Sequence, residues 1–160
     1  MTSSSRRTAG ATLAVMLIAG SGVVAASAGA HAVAASRTTE KPAVRIAQTV
    51  GGPLLVNAAG QTVFMFTRNG HRLDRCAKIK NCLTDWPAVT TTRRPAAGPG
   101  VKRSLLGSIP LHGKVRQVTY DGYPLHTYLF DVGKGSTMAI GNRQFGGSWY
   151  GLRASGKLVR

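Results

Sequence analysis

Two residues, Asp121 and Gly122, do most to restrict what this chain can become. They stand between the short β-branched and aromatic run Val118-Thr119-Tyr120 and a longer apolar run from Tyr123 to Phe130. An Asp-Gly pair between two such runs is a strong hairpin signal, because both residues readily take the positive φ angles of a two-residue turn. The stretch Val118 to Asp131 is therefore predicted to be a β-hairpin. A weaker copy lies upstream. Leu55 to Asn69 can be laid over Gln117 to Asp131 at a constant offset of 62 residues, which matches Gly60 with Gly122, Val63 with Leu125, Phe64 with His126, Phe66 with Tyr128 and Asn69 with Asp131.

The rest of the chain agrees with a β reading. Gly and Pro recur every few residues between short Val, Thr, Tyr and Phe runs, which argues against long helices. The expectation is an all-β domain, a small barrel or sandwich built from two related hairpin repeats around an aromatic core. Closure would leave fewer exposed strand edges. Trp86 reads as a core anchor, Thr90 to Gly100 as a breaker-rich loop, and Gly147 to Leu152 as the last strand. Gly133-Lys134-Gly135-Ser136-Thr137 lacks the spacing of a phosphate-binding loop and reads as a turn. Strand alternation puts His126, Tyr128 and Phe130 on one face, and Leu125, Thr127 and Leu129 on the other. If the Tyr128 face is the core, His126 is a packed, hydrogen-bonded residue.

The first thirty-odd residues read as an export signal. Ser5-Arg6-Arg7 gives a positive start, Ala11 to Ala26 is apolar and uncharged, and Ala30-His31-Ala32 is a small-x-small cleavage site. Residues 1–32 are thus assigned as signal peptide, residues 33–42 as a flexible tether and residues 43–160 as one secreted β domain. Cleavage after Ala28 or Ala34, twin-arginine export, and an uncleaved segment that anchors the chain are the alternatives. No cysteine precedes Cys76, so none is placed to carry a lipid.

The chain carries 21 Lys and Arg against 5 Asp and Glu, a formal charge of +16. Without the signal, nineteen basic side chains face five acidic ones. Such a charge draws a protein to polyanions, and outside a cell these are envelope polymers and anionic surfaces. The basic residues are spread through loops without the interleaved aromatics that stack bases, so specific nucleic-acid binding is not expected.

Cys76 and Cys82 are the two cysteines. An even pair at short spacing in an exported chain is most simply a disulfide. Metal ligation would want a second pair at short spacing. Redox catalysis is more commonly built on a two-residue spacing, whereas five residues intervene here.

The two aromatic-x-aromatic-x-x-acid elements, the cysteine pair leading to Trp86-Pro87, the phrase Gln117 to Leu125 and the closing Gly147-Ser148-Trp149-Tyr150 together resemble the bacterial secreted-repeat family. Its members are also described as predicted lipoproteins with a Tyr-x-(Phe/Trp/Tyr)-x-x-Asp motif. The resemblance spans about Gly52 to Gly151 and implies an exported protein, without implying an established biochemical activity. The departures are specific. The first motif Tyr is Phe64 in one copy and His126 in the other, the acid is Asn69 in one and Asp131 in the other, the proline pair after Trp86 is Pro87-Ala88, and the lipid-bearing cysteine is missing.

The functional expectation is a non-catalytic envelope or extracellular binding and structural protein, with a basic surface for anionic polymers. The alternative is a metal-binding or redox-associated extracytoplasmic protein. Its candidate ligands are His71, His112 and His126, with Met65 or Met138 suiting copper and Asp131 suiting zinc, although no pair has a ligand-like local spacing. A hydrolase pairing Asp131 or Asp85 with His126 is a third class, but the chain has none of the usual nucleophile or metalloprotease motifs.

Overall fold

The structure is a computed structural model that describes residues 41–160. The expected signal peptide, its alternative cleavage sites and nearly all of the expected tether lie outside the described residues. Strands β1 (Val44–Thr49) and β2 (Gly52–Asn57) pair as a two-stranded antiparallel sheet. The remaining strands are β3 (Phe64–Phe66), β4 (Thr90–Thr91), β5 (Leu106–His112), β6 (Val115–Tyr120), β7 (Tyr123–His126), β8 (Arg143–Gln144), β9 (Gly147–Leu152) and β10 (Leu158–Val159). They form an eight-stranded sheet in the order β10-β9-β3-β7-β6-β4, with β5 on β6 and β8 on β9. The fold is all-β, as expected, and consistent with a sandwich. It is not closed into a barrel: the seven-residue β5 lies on the flank of β6 away from β7, β10 lies on β9 at the other side of the sheet, and the two do not pair.

The hairpin forms where Asp121-Gly122 places it. Asp121 has φ 48° and Gly122 φ 76°, and Tyr120 pairs with Tyr123 across the turn. The apolar run beyond it behaves differently from the expectation, since β7 ends at His126 instead of reaching Phe130. The Thr127 and Leu129 amides donate to the Pro87 and Asp85 carbonyls, and the Asp131 amide turns back to Tyr128. Leu129 and Phe130 are consequently exposed. The closing strand is also followed by another, β10, on its outer edge.

Strands β3 and β7 are neighbours at the centre of the large sheet. Phe64 stands directly opposite His126, and Met65 opposite Leu125. The two residues superposed by the 62-residue offset are thus cross-strand partners. Alternation then gives the sheet two unlike faces. Val63, Met65, Val118, Tyr120, Leu125 and Leu152 face an aliphatic core that the β1–β2 hairpin completes with Val44 and Leu55. Phe64, Phe66 and Trp149 face an aromatic core shared with Trp86, Ala139, Cys76 and Cys82.

The aromatic face is roofed by the short 3-10 turn Cys76–Lys78 and the single-turn helix α1 (Cys82–Asp85). The Cys76–Cys82 disulfide ties them together. On the chain-entropy estimate, closing so small a ring stabilises the fold by about 2 kcal/mol.

His71 covers the hairpin turn so closely that a side chain on Gly122 would collide with its ring. Gly122→Ala therefore combines a positive-φ penalty of roughly 1–2 kcal/mol with a steric one. Gly133, with φ 88° and open space around it, carries the backbone penalty alone. Urea unfolding should show Gly122→Ala less stable than Gly133→Ala; equal losses would refute the role given to the His71 contact.

Candidate functional site

The most constrained chemistry in the described residues surrounds His126, whose side chain is fully buried. Its Nδ1 lies 3.0 Å from the Trp86 carbonyl oxygen, which only accepts, so Nδ1 carries a hydrogen. Its Nε2 faces the Gln117 amide nitrogen at 3.2 Å, the Asn69 amide nitrogen at 3.3 Å and a carboxylate oxygen of Asp74 at 3.4 Å. Both amides are oriented by the backbone. Gln117 Nε2 donates to the Leu125 carbonyl, and Asn69 Oδ1 accepts from the Arg75 amide. The imidazole is thus held by β6, by the segment after β3 and by the chain at Trp86.

Asp74 is the one carboxylate in this shell. Burial alone would raise its pKa, but the hydrogen bond and charge of His126, with backbone N–H donors at Cys76 and Ala77, hold it below the usual aspartate value. Its Oδ1 also accepts from the Cys76 amide at 2.9 Å, which links the polar shell to the disulfide turn.

Four rings stack beside this shell. Phe66 lies 4.3 Å from Trp149, Trp149 lies 3.8 Å from Trp86 at an interplanar angle of 3°, and Trp86 lies 4.3 Å from Tyr128. Phe64 meets Trp86 edge-on, and His126 meets Trp149 in the same way. Trp86 is therefore the core anchor its sequence context suggested, and its indole N–H also donates to Gln144 at 2.7 Å.

The remaining motif residues go elsewhere. Asp131 accepts from the Ser136 hydroxyl at 3.0 Å, and partial burial raises its pKa. It therefore closes its own loop, and neither Asp131 nor Asp85 is a hydrogen-bond partner of His126. Among the candidate metal ligands, His71 packs on Gly122 and Tyr123, His112 is exposed, Met138 is exposed, and Met65 lies in the aliphatic core behind β3. None of these joins a cluster of potential ligands with His126.

Among the described residues, Asp74, Cys76 and His126 are the ones that bring ligand atoms within 4.8 Å of one another. Cys76 is held in the disulfide, so an imidazole nitrogen and a carboxylate remain. Clefts of about 390 and 400 Å³ open on the surface, and His126 lines neither. With both ring nitrogens engaged and no exposed surface, this histidine has no route by which to exchange a proton with a substrate. The arrangement is suited to fixing the core.

Asp74 and Gln117 were not singled out in the sequence. Asp74 sits in an aperiodic stretch, and its signal is an Asx turn onto the amide two residues ahead. Gln117 is a polar residue on a buried strand face, visible once the opposite phase of Val118 is assigned.

The outer surface has a simpler character. Of the eighteen Lys and Arg in residues 41–160, all but Arg45, Arg116 and Arg153 are exposed, whereas Asp121 is the one exposed acid among the described residues. None of these cations is ion-paired with a carboxylate among the described residues, where the recorded charge contact is His126–Asp74. No helix among them is long and apolar enough to cross a membrane. No family model, curated protein or solved structure matches the chain.

Asp74→Asn should cost about 2 kcal/mol at neutral pH, where a depressed aspartate pKa stabilises the fold. That contribution is present above the pKa of the unfolded chain and disappears as pH falls through the lower folded value. The gap between wild type and variant, measured by urea unfolding, should therefore narrow in strong acid. A gap independent of pH would show that the charge of Asp74 is not what stabilises the shell.

Proposed function

We propose that this protein is a non-catalytic, exported envelope or extracellular module whose basic surface associates with anionic polymers and surfaces. The observation that carries this reading is the imbalance of accessible charge, fifteen exposed cations against a single exposed acid in the described residues. Burial of Asp74 and the half-burial of Asp85 and Asp131 sharpen the imbalance, because among the described residues these carboxylates are withdrawn from the surface. Unpaired surface cations of this density attract a polyanion over several ångströms and release its counterions on contact. The apolar N-terminal run, the disulfide and the motif resemblance support an extracytoplasmic location.

The alternative reading, a metal-binding or redox-associated protein, rests on the Asp74, Cys76 and His126 grouping. It requires the Cys76–Cys82 bond to open before the third ligand is free. A stoichiometric metal taken up by the reduced protein, and lost on replacing His126, would favour it instead.

Retention on immobilised polyphosphate and polyglutamate should fall roughly tenfold or more between low and physiological salt, as counterion release requires. Charge-reversing pairs such as Arg93→Glu with Arg94→Glu should weaken retention without lowering stability, since both side chains are exposed. Retention that ignores salt, or no retention at all, would contradict the reading.

A further inference from the structure

The exposed large apolar side chains of the described residues are not scattered. They are Val50, Leu73, Leu129, Phe130, Val132 and Met138, and all except Leu73 lie on two loops. Val50, 96% exposed, tips the β1–β2 turn; Phe130, Val132 and Met138, between 61% and 79% exposed, occupy the segment that follows β7.

The two loops lie against each other. A side-chain carbon on Gly135 would be in van der Waals contact with Thr49, and one on Gly51 with Thr137. The longer loop is also anchored from behind. The Gly135 amide donates to the Gly60 carbonyl at 2.8 Å, the Thr62 hydroxyl bonds to the Ser136 carbonyl, and Asp131 holds Ser136. The apolar tips are therefore displayed by a tethered scaffold.

Cations lie beside the two loops. Lys134 belongs to the loop, and its stem packs over Gly60 beside the Arg45 guanidinium. Arg153 donates to the Pro53 carbonyl at the foot of the β1–β2 turn. The one acid on the two loops is Asp131, turned inward to Ser136.

We propose that this pair of loops docks on an anionic lipid bilayer, with Phe130, Val132, Met138 and Val50 entering the acyl boundary, the exposed Lys134 meeting headgroup phosphates and the half-buried Arg45 and Arg153 adding positive charge beside it. Apolar tips with cations beside them match the two layers of such a surface, apolar below and anionic above. A soluble polyanion would engage the cations and leave the apolar tips in water. This inference rests on the anionic-surface reading above and names the face and the partner within it.

The test uses the full chain carrying Phe130→Trp. Trp86 and Trp149 are fully buried, so a surface indole at position 130 supplies the lipid-sensitive signal. The variant is mixed with phosphatidylglycerol-containing vesicles whose acyl chains are brominated, and a cooperative urea transition like that of wild type establishes that it is folded. The introduced indole should be quenched and shifted to the blue, and pure phosphatidylcholine vesicles should give little of either effect. Adding Lys134→Glu should weaken the lipid titration several-fold, and Phe130→Ser with Val132→Ser should weaken it roughly tenfold in a chain that keeps a cooperative urea transition, although Phe130 also packs edge-on against Tyr128.

Quenching tied to anionic lipid supports the proposal. A chain that sediments with vesicles while the position-130 indole remains unquenched overturns it, because attachment would then run through another segment. Salt-sensitive retention on polyphosphate without lipid quenching also overturns it, and leaves the broader polyanion reading standing. Loss of both overturns both.

Discussion

The aromatic half of this molecule depends on keeping one imidazole fully buried. A buried polar ring is costly unless its nitrogens are occupied, and here both have partners: Nδ1 donates to the Trp86 carbonyl, while Nε2 has the amides of Asn69 and Gln117 as donors in the neutral ring and the carboxylate of Asp74 as acceptor in the protonated one. These partners come from four separate stretches of chain. Satisfying one side chain therefore fixes the position of the segment after β3, the disulfide turn, strand β6 and the bend at Trp86 relative to one another. An apolar residue opposite Phe64 would fill space but would not choose among these segments so narrowly.

The aromatic stack uses that positioning. Trp86 presents its carbonyl to His126 and its ring to Trp149 and Tyr128, so the same residue closes the polar shell and begins the column of rings. The disulfide lies in the same cluster, and Asp74 bonds to the backbone of Cys76. Covalent, polar and aromatic contacts thereby reinforce one another over a small region. The opposite face carries the aliphatic core and, past it, the β1–β2 hairpin. On the surface of the described residues accessible charge is almost all of one sign, and the exposed large apolar side chains other than Leu73 lie on two touching loops.

Some of this was legible in the sequence and some was not, for physical reasons. Asp121-Gly122 announces a hairpin because positive φ at two successive residues is a local requirement, and local requirements are written locally. Trp86 as a core anchor and the Cys76–Cys82 bond were likewise readable from composition and spacing. The end of β7 was not, because Thr127 and Leu129 leave the ladder for carbonyls about forty residues upstream, which alternation cannot register. The choice between barrel and sandwich was not legible either, since it depends on whether β5 and β10 meet across the sheet, a long-range pairing that local sequence does not register. At the site, His126 and Asn69 stood out through the repeated motif, yet their contact with each other did not. Asp74 and Gln117 escaped notice because a carboxylate in a loop and an amide in a strand are ordinary until the fold sets them beside a buried ring.

The central place of β3 has a consequence for how the chain reaches its native state. This three-residue strand has no sequence neighbour in the large sheet: it pairs with β7, where Phe64 meets His126, and with β9, where Phe64 meets Gly151. Its partners are thus 62 and 87 residues away. The β6–β7 hairpin closes over a two-residue turn and requires nothing distant, whereas the middle of the sheet waits for the last part of the chain to arrive. Until β9 is in place, β3 has an open flank and the Trp149 layer of the stack is missing. Assembly therefore runs from an early local hairpin to a late closure of the centre, and the interval between them is when the unpaired edge of β3 is exposed to other chains.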